Sequence, residues 1–479
     1  MKVFFEFDSI KRKPRIVSEE LSQIREMFSV EDKAMVFMRR RFNNNIPTRK
    51  YVITNKGYFD LPFFPTLYKE LKTKFPSIEF DFCPRFLSLA DNKAISEDIV
   101  EIGPQPRDYQ IESSLVALKK GRGIIVLPTS AGKTLVISLI ANTIINKIKN
   151  AKILILVPDI QLVRQTSQDM LDYGMDEKLV SKWTGSCEYS DTQIVVANNQ
   201  ILLSDKQDTT VLNSFTHIFV DECHKMASAE KISKLIKSIN CSHIFGFTGS
   251  LPENKFDVWT INRIFGPILY QKKSIDLRSE KYISKVRVIS LKMNYKNIPK
   301  FTKPSMSEPT AGYEEELTWL HTNSFRNSTI AKIINKLETN TLILVDRITH
   351  GEHLLDFLTK NTEKKCFFVQ GSVDVVERDK IKELMEKTDG VVCIAISKIF
   401  STGISIKNLH NVIFAAIGKA RIKIIQSIGR SLRLHHTKEI ANIFDIADIS
   451  LYYGEKHFQE RENIYISENI PIVNTIINE

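Results

Sequence analysis

The 479-residue sequence has no closely spaced cysteines: Cys83, Cys187, Cys223, Cys241, Cys366 and Cys393 are scattered and form no C-x-x-C pair. This excludes a zinc ribbon or a disulfide framework and fits a reducing cytosol. Long hydrophobic runs are also missing. Nothing approaches 18 uninterrupted apolar residues, and the N-terminal apolar run "MKVFFEFDSIKRK" is broken by Glu6 and Asp8. Neither a membrane-spanning helix nor a secretory leader is therefore expected. No internal repeat at a fixed period and no low-complexity tract is present. Acid is missing from one whole region: residues 390–438 hold eight Lys or Arg and no Asp or Glu. A stretch of that kind suits a polyanion.

What is present is ordinary for a folded chain, with 43% apolar and 26% charged residues. The length exceeds what one hydrophobic core supports, so two or three domains are expected. The net charge of +11 favours a polyanionic partner, and a solvated lysine-rich surface is the competing explanation.

Three parts are legible along the chain. Residues 1–100 mix short alternating segments with the helical pattern "LYKELKTKF" and predict a small α+β module that ends at "GPQP". From there, apolar strands ("GIIVLP", "KILILVP", "TQIVVA", "HIFVDE", "HIFGFTG") alternate with helical sequence, the pattern of a parallel sheet covered on both faces. A second such series begins near residue 323 with "NTLILVD", "KCFFVQG", "GVVCIAIS" and "NVIFAAI". The expected fold is α/β, with two tandem parallel-sheet domains at 101–295 and 323–479. The polar, proline-bearing segment at 296–322 is expected to link them.

In "IIVLPTSAGKT" a strand runs into a small-residue turn that opens a long helix, the setting of a phosphate loop. Backbone amides of Ser130, Ala131, Gly132 and Lys133 would surround phosphates. The Lys133 side chain would reach the β and γ phosphates, and Thr134 would hold Mg²⁺. Leu127 and Ser130 stand where glycine or alanine is commoner. In "HIFVDECHKM" an apolar strand ends in two carboxylates, which completes the pair needed for metal-assisted phosphoanhydride hydrolysis. Asp221 would position Mg²⁺ and Glu222 would polarise water; an acidic helix cap is the structural alternative. His224 is expected on the γ-phosphate side or against the neighbouring domain. In "QSIGRSLRL", helical spacing brings Gln426, Arg430 and Arg433 to nearby faces, as transition-state cations would need, or as a solvated basic helix would have. The N-terminal stretch "FMRRRFNNNIPTRKYV" sets Phe37, Phe42 and Tyr51 around Arg39, Arg40 and Arg41. That is a candidate nucleic-acid surface, unless the aromatics are simply the module's core.

Taken in order, "RDYQ", "PTSAGKT", "ILILVPDIQLVRQ", "KWTGS", "DECH", "FTGS", "STGISIKNL" and "QSIGRSLR" resemble the motif series of superfamily 2 helicases over residues 105–445. The "LPTSAGKT" loop, "STGISIKNLHNVIFA" and the basic N-terminal module are similar to the UvsW-type bacteriophage branch-migration helicases. The resemblance implies two RecA-like domains, ATP with Mg²⁺, and DNA that is forked, branched or single-stranded, with RNA in R-loops as a further substrate. It implies adenine recognition by Arg107, Tyr109 and Gln110, and a place near the ribose for Gly403. Pro158, Thr184, Gly185 and Thr402 would contact the tracked strand, and Thr248 and Ser250 would couple hydrolysis to movement. The "STGIS" stretch departs from the family's usual acid-rich form. A monomer in a bacterial host cytoplasm, with no membrane partner, is the expected setting. Two alternatives stay open: an RNA or R-loop helicase, since backbone tracking does not identify the sugar, and a duplex-DNA translocase that does not unwind.

Overall fold

The computed structural model describes residues 1–42, 47–203, 209–305, 308, 310–371, 373, 375–397, 406–416, 424, 428–429, 435 and 438–479. These divide into two compact units. One is Met1–Leu127 with Gly132–Lys272, and the other is Lys273–Glu479 with Pro128–Ala131. Among the described residues, no helix is long and apolar enough to cross a membrane.

The N-terminal module has five short strands: β1 (Lys2–Asp8), β2 (Lys13–Val17), β3 (Ser29–Glu31), β4 (Arg49–Tyr51) and β5 (Glu79–Phe82). β1 pairs antiparallel with β2 and parallel with β5, while β3 and β4 form a separate ribbon. Its core is aromatic, with Phe5, Phe28, Phe63 and Phe86 fully buried. Trp259, from the helix Lys255–Phe265 far along the chain, belongs to the same core and lies 5.4 Å from the Phe28 ring. Around it, Asp60 meets Arg263 at 2.6 Å and Lys237 at 2.9 Å. Glu70 accepts from Trp259 Nε1 and from Lys255, each at 3.0 Å. The module and the first parallel-sheet domain are thus one packed unit rather than two bodies joined at residue 100.

That first domain has seven strands: β6 (Gly123–Val126), β7 (Ile153–Val157), β8 (Val180–Trp183), β9 (Ile194–Asn198), β10 (His217–Val220), β11 (His243–Thr248) and β12 (Ile268–Gln271). All pair in parallel, in the order β12-β6-β11-β10-β7-β9-β8. β6, β7, β9 and β10 are buried at every position, which is why they are apolar throughout rather than alternating. The helix Lys133–Lys147 is largely apolar for the same reason: Leu135 through Ile144 are all buried, with Ser138, Asn142 and Thr143 the polar members. Register sets Val220 opposite Leu156 and Thr248 opposite Val126. The chain therefore leaves β6, β10 and β11 at one edge of the sheet, where open α/β sheets bind ligands.

The described residues of the second unit also form seven strands: β13 (Lys285–Asn294), β14 (Thr341–Val345), β15 (Cys366–Val369), β16 (Val392–Ile396), β17 (Asn411–Phe414), β18 (Ile440–Ala447) and β19 (Ile472–Asn478). They form a parallel sheet in the order β15-β16-β14-β17-β18-β13-β19. This corrects the expected domain limits. β13 pairs with β18 and β19, so the second unit begins at Lys273 instead of residue 323. Part of the expected linker is the helix Tyr313–Thr322, which buries Glu316, Leu320 and His321.

Candidate active site

Two local backbone features shape the edge of the first sheet. After β6 the chain turns through Ser130 at φ 72° and Gly132 at φ 76°, and the helix Lys133–Lys147 follows. Glycine adopts that region freely, whereas serine there carries strain, so the departure from the common phosphate-loop sequence has a conformational cost. A Cβ on Gly132 would lie 2.5 Å from Gln110 Nε2, so glycine at this position also lets Gln110 pack against the loop. After β10, Glu222 takes φ 51° and ψ 44°, the left-handed region, which is uncommon for glutamate and is the kind of strain that collects at functional sites.

These turns bring three charged side chains together. Lys133 Nζ lies 2.8 Å from Glu222 Oε1 and 3.1 Å from Asp221 Oδ1. Asp221 Oδ1 also accepts from the Glu222 amide at 2.9 Å. Burial opposes the charge on Lys133, but the two carboxylates reverse this and hold its pKa above the ordinary value. Burial would raise Glu222 too, yet the Lys133 ammonium and His224 hold it below the usual carboxylate range. Asp221 goes the other way: burial pushes it up, the neighbouring Glu222 charge adds to that, and Lys133 opposes both.

One ammonium thus faces two partly buried carboxylates, leaving a surplus of one negative charge. Glu222 Oε2 is buried, with the His224 imidazole 3.2 Å away as its neighbour. Both features fit a hard divalent cation and a water among the oxygens. Among the described residues no group of three or more His, Cys, Asp or Glu side chains could hold a metal alone. Mg²⁺ is ordinarily bound by one or two carboxylates together with substrate phosphates, so this donor set suits it.

His224 was expected on the γ-phosphate side or against the neighbouring domain, and its described contacts are with the strand ends beside the acids. Its Nδ1 is 2.8 Å from Thr248 Oγ1 and 3.2 Å from Glu222 Oε2, so the imidazole bridges the ends of β10 and β11. Thr248 Oγ1 in turn donates to the Ser250 carbonyl at 2.8 Å. Cys223 is fully buried and its thiol is pushed well above its ordinary pKa, chiefly by burial.

The other predicted residues fall as follows. Gln110 Oε1 accepts from the Arg107 amide at 2.9 Å, and Arg107 donates to Tyr109 Oη at 3.1 Å, so the three are joined at the start of the helix Asp108–Lys120, with Gln110 against Gly132 of the phosphate loop. Pro158 and Thr184 follow β7 and β8 at the same edge of the sheet as the acids. The Thr184 hydroxyl accepts from the Cys187 amide at 3.1 Å and so closes its own turn, while Gly185 is exposed at its tip. Arg39 is exposed, and the side chains of Arg40 and Arg41 lie outside the described residues. Thr402, Gly403, Gln426, Arg430 and Arg433 also lie outside them.

The family model for the res subunit of type III restriction enzymes matches residues 103–253, and the helicase conserved C-terminal domain matches residues 326–435. The ATP-dependent DNA helicase uvsW of enterobacteria phage T4 is 31% identical over 399 residues, covering 78% of this chain and 78% of that protein. The DNA 3'-5' translocase XPB2 of Sulfurisphaera tokodaii is 24% identical, over 71% of this chain and 83% of its own length. In fold, the chain is similar to the HsdR subunit fragment of a type I restriction enzyme from Vibrio vulnificus, with a TM-score of 0.58 at 17% identity, covering 82% of this chain and 73% of that one. The chain belongs to the superfamily 2 ATP-dependent helicases, within the family of UvsW-like DNA helicases.

Proposed function

We propose that the protein couples ATP hydrolysis to the unwinding of forked DNA and the branch migration of junctions, including Holliday junctions, replication forks and R-loops, in recombination, repair and replication. The observation that carries this reading is the 31% identity, over 399 residues, to a phage protein named an ATP-dependent DNA helicase. A basic module packed on the first motor domain supports the branched substrate.

The chemistry follows from the ion cluster. Phosphates entering the loop compete for Lys133, which then moves from Glu222 to the β and γ oxygens. That frees the Glu222 carboxylate to orient a water and accept its proton. Asp221 and Thr134 would hold Mg²⁺, which when bound neutralises charge on the phosphates. Arg107, Tyr109 and Gln110 take the base, the amides of Ser130 to Lys133 take the phosphates, and Gly403 takes the ribose. Gln426, Arg430 and Arg433 stabilise the transferred phosphoryl group. The His224 contacts run from Glu222 to Thr248 and on to Ser250, and we assign these contacts the coupling role; Pro158, Thr184, Gly185 and Thr402 would contact the tracked strand. We place this activity in a monomer acting in a bacterial host cytoplasm.

The test is to compare ATPase stimulation by single-stranded DNA, duplex, four-way junction and RNA, alongside strand separation on a fork. Stimulation by single strands and junctions, with fork separation, is expected. Stimulation by RNA alone contradicts the reading. Turnover on duplex without strand separation would favour a translocase, the reading suggested by the relative named for that activity.

A further inference from the structure

The ten-residue helix Lys33–Phe42 contributes nothing described to the module's core. Within it, Phe37 is 53% exposed, Met38 42% and Met35 39%. Single exposed apolar residues are commonplace, but three large ones in one helical turn, beside the exposed Arg39, are not scattered. The bland explanation, that the aromatics of this stretch are the module's core, does not hold for Phe37. Tyr51 is used differently: its hydroxyl donates to Glu26 at 2.6 Å and its ring lies under Arg25 at 4.5 Å.

Other basic groups nearby are already paired, Lys50 with Asp32 at 2.8 Å and Arg49 with Glu26 at 3.2 Å. The helix instead carries the run Arg39, Arg40, Arg41, and helical spacing puts positions 40 and 41 on the face of position 37. An exposed cation, Arg39, beside an exposed aromatic and two thioethers matches one chemistry: phosphates flanking bases that have left their stack. Phe and Met are also side chains that proteins insert between base steps.

Asp60, Glu70 and Trp259 bind the module that carries this helix to the first motor domain.

We infer that the helix Lys33–Phe42 is the strand-separating wedge. Phe37, with Met35 and Met38 beside it, takes the place of a stacking neighbour for the first base at the branch while Arg39 holds a flanking phosphate. The inference rests on the unwinding activity proposed above.

The experiment uses the full chain and a DNA fork, measuring base pairs opened per ATP hydrolysed. Loss of an aromatic stacking platform predicts a fall of about tenfold for Phe37→Ala and recovery for Phe37→Trp. Arg39→Ala should instead change the salt dependence of fork binding. Because Phe37 is exposed, its melting temperature is expected to match the wild type. Wild-type coupling in Phe37→Ala overturns the wedge, and so does a lowered melting temperature, which would make Phe37 a packing residue. A wild-type protein that hydrolyses ATP but opens no fork defeats the proposed unwinding itself, a result distinguishable from failure of the wedge alone.

Discussion

Replacing Asp60 with Asn tests whether the module is truly locked to the motor. The carboxylate lies between Arg263 at 2.6 Å and Lys237 at 2.9 Å, and its side chain is only 19% exposed. Burial would raise its pKa, but the Arg263 and Lys237 charges outweigh this and hold it below the ordinary value. The same burial pushes the Lys237 ammonium down, so Arg263, the closer cation, is the stronger anchor. Removing one partner of a fully buried pair costs about 3–5 kcal/mol. With all three groups partly open to water, about 2 kcal/mol is expected here. For a unit of this size that lowers the melting temperature by about 4–8 °C. The sign with pH follows from the lowered pKa. The contribution is complete above the ordinary carboxylate range and is lost as pH falls through the folded-state value. Thermal melts of wild type and Asp60→Asn should therefore differ at neutral pH, and the gap should shrink as the pH is lowered through the acid range. Identical melting at neutral pH would refute the lock, and a gap that widens in acid would refute its electrostatic origin.

Two further substitutions probe the loop and the module. Gly132→Ala puts a Cβ 2.5 Å from Gln110 Nε2 at φ 76°; titration with a non-hydrolysable ATP analogue should show affinity about tenfold lower, given a left-handed cost of about 1–2 kcal/mol. Replacing Arg39, Arg40 and Arg41 together with Ala should lower the log–log salt slope of junction binding by up to ~2.7, the value for three lost phosphate contacts, and an unchanged slope would make them solvated surface.

Much of the architecture was legible because buried parallel strands are apolar at every position. "GIIV", "ILILV" and "HIFV" announce themselves, and each is one of the strands around the site. β8 reads "VSKW" and carries an exposed lysine at the sheet edge, so no apolar run marked it. β13 alternates buried and exposed residues and precedes the proline-bearing segment, and nothing local says which sheet it joins. Its pairing with β18 is set about 155 residues away in sequence. The cluster of Lys133, Asp221 and Glu222 could be anticipated because each motif sits at a strand end. The His224–Thr248 bond could not, since it depends on β10 and β11 being adjacent. Trp259 in the module's core was equally hidden, because a lone tryptophan on an amphipathic helix carries no sign of a distant partner.

The central claim is that hydrolysis at Lys133, Asp221 and Glu222 drives strand separation, and Glu222→Gln tests it most directly. Glutamine keeps the side chain's size but cannot take a proton from water. ATP binding should persist, while turnover falls by about 100-fold or more and fork opening falls with it. Near-normal hydrolysis by this variant, or fork opening that survives the loss of hydrolysis, would contradict the account.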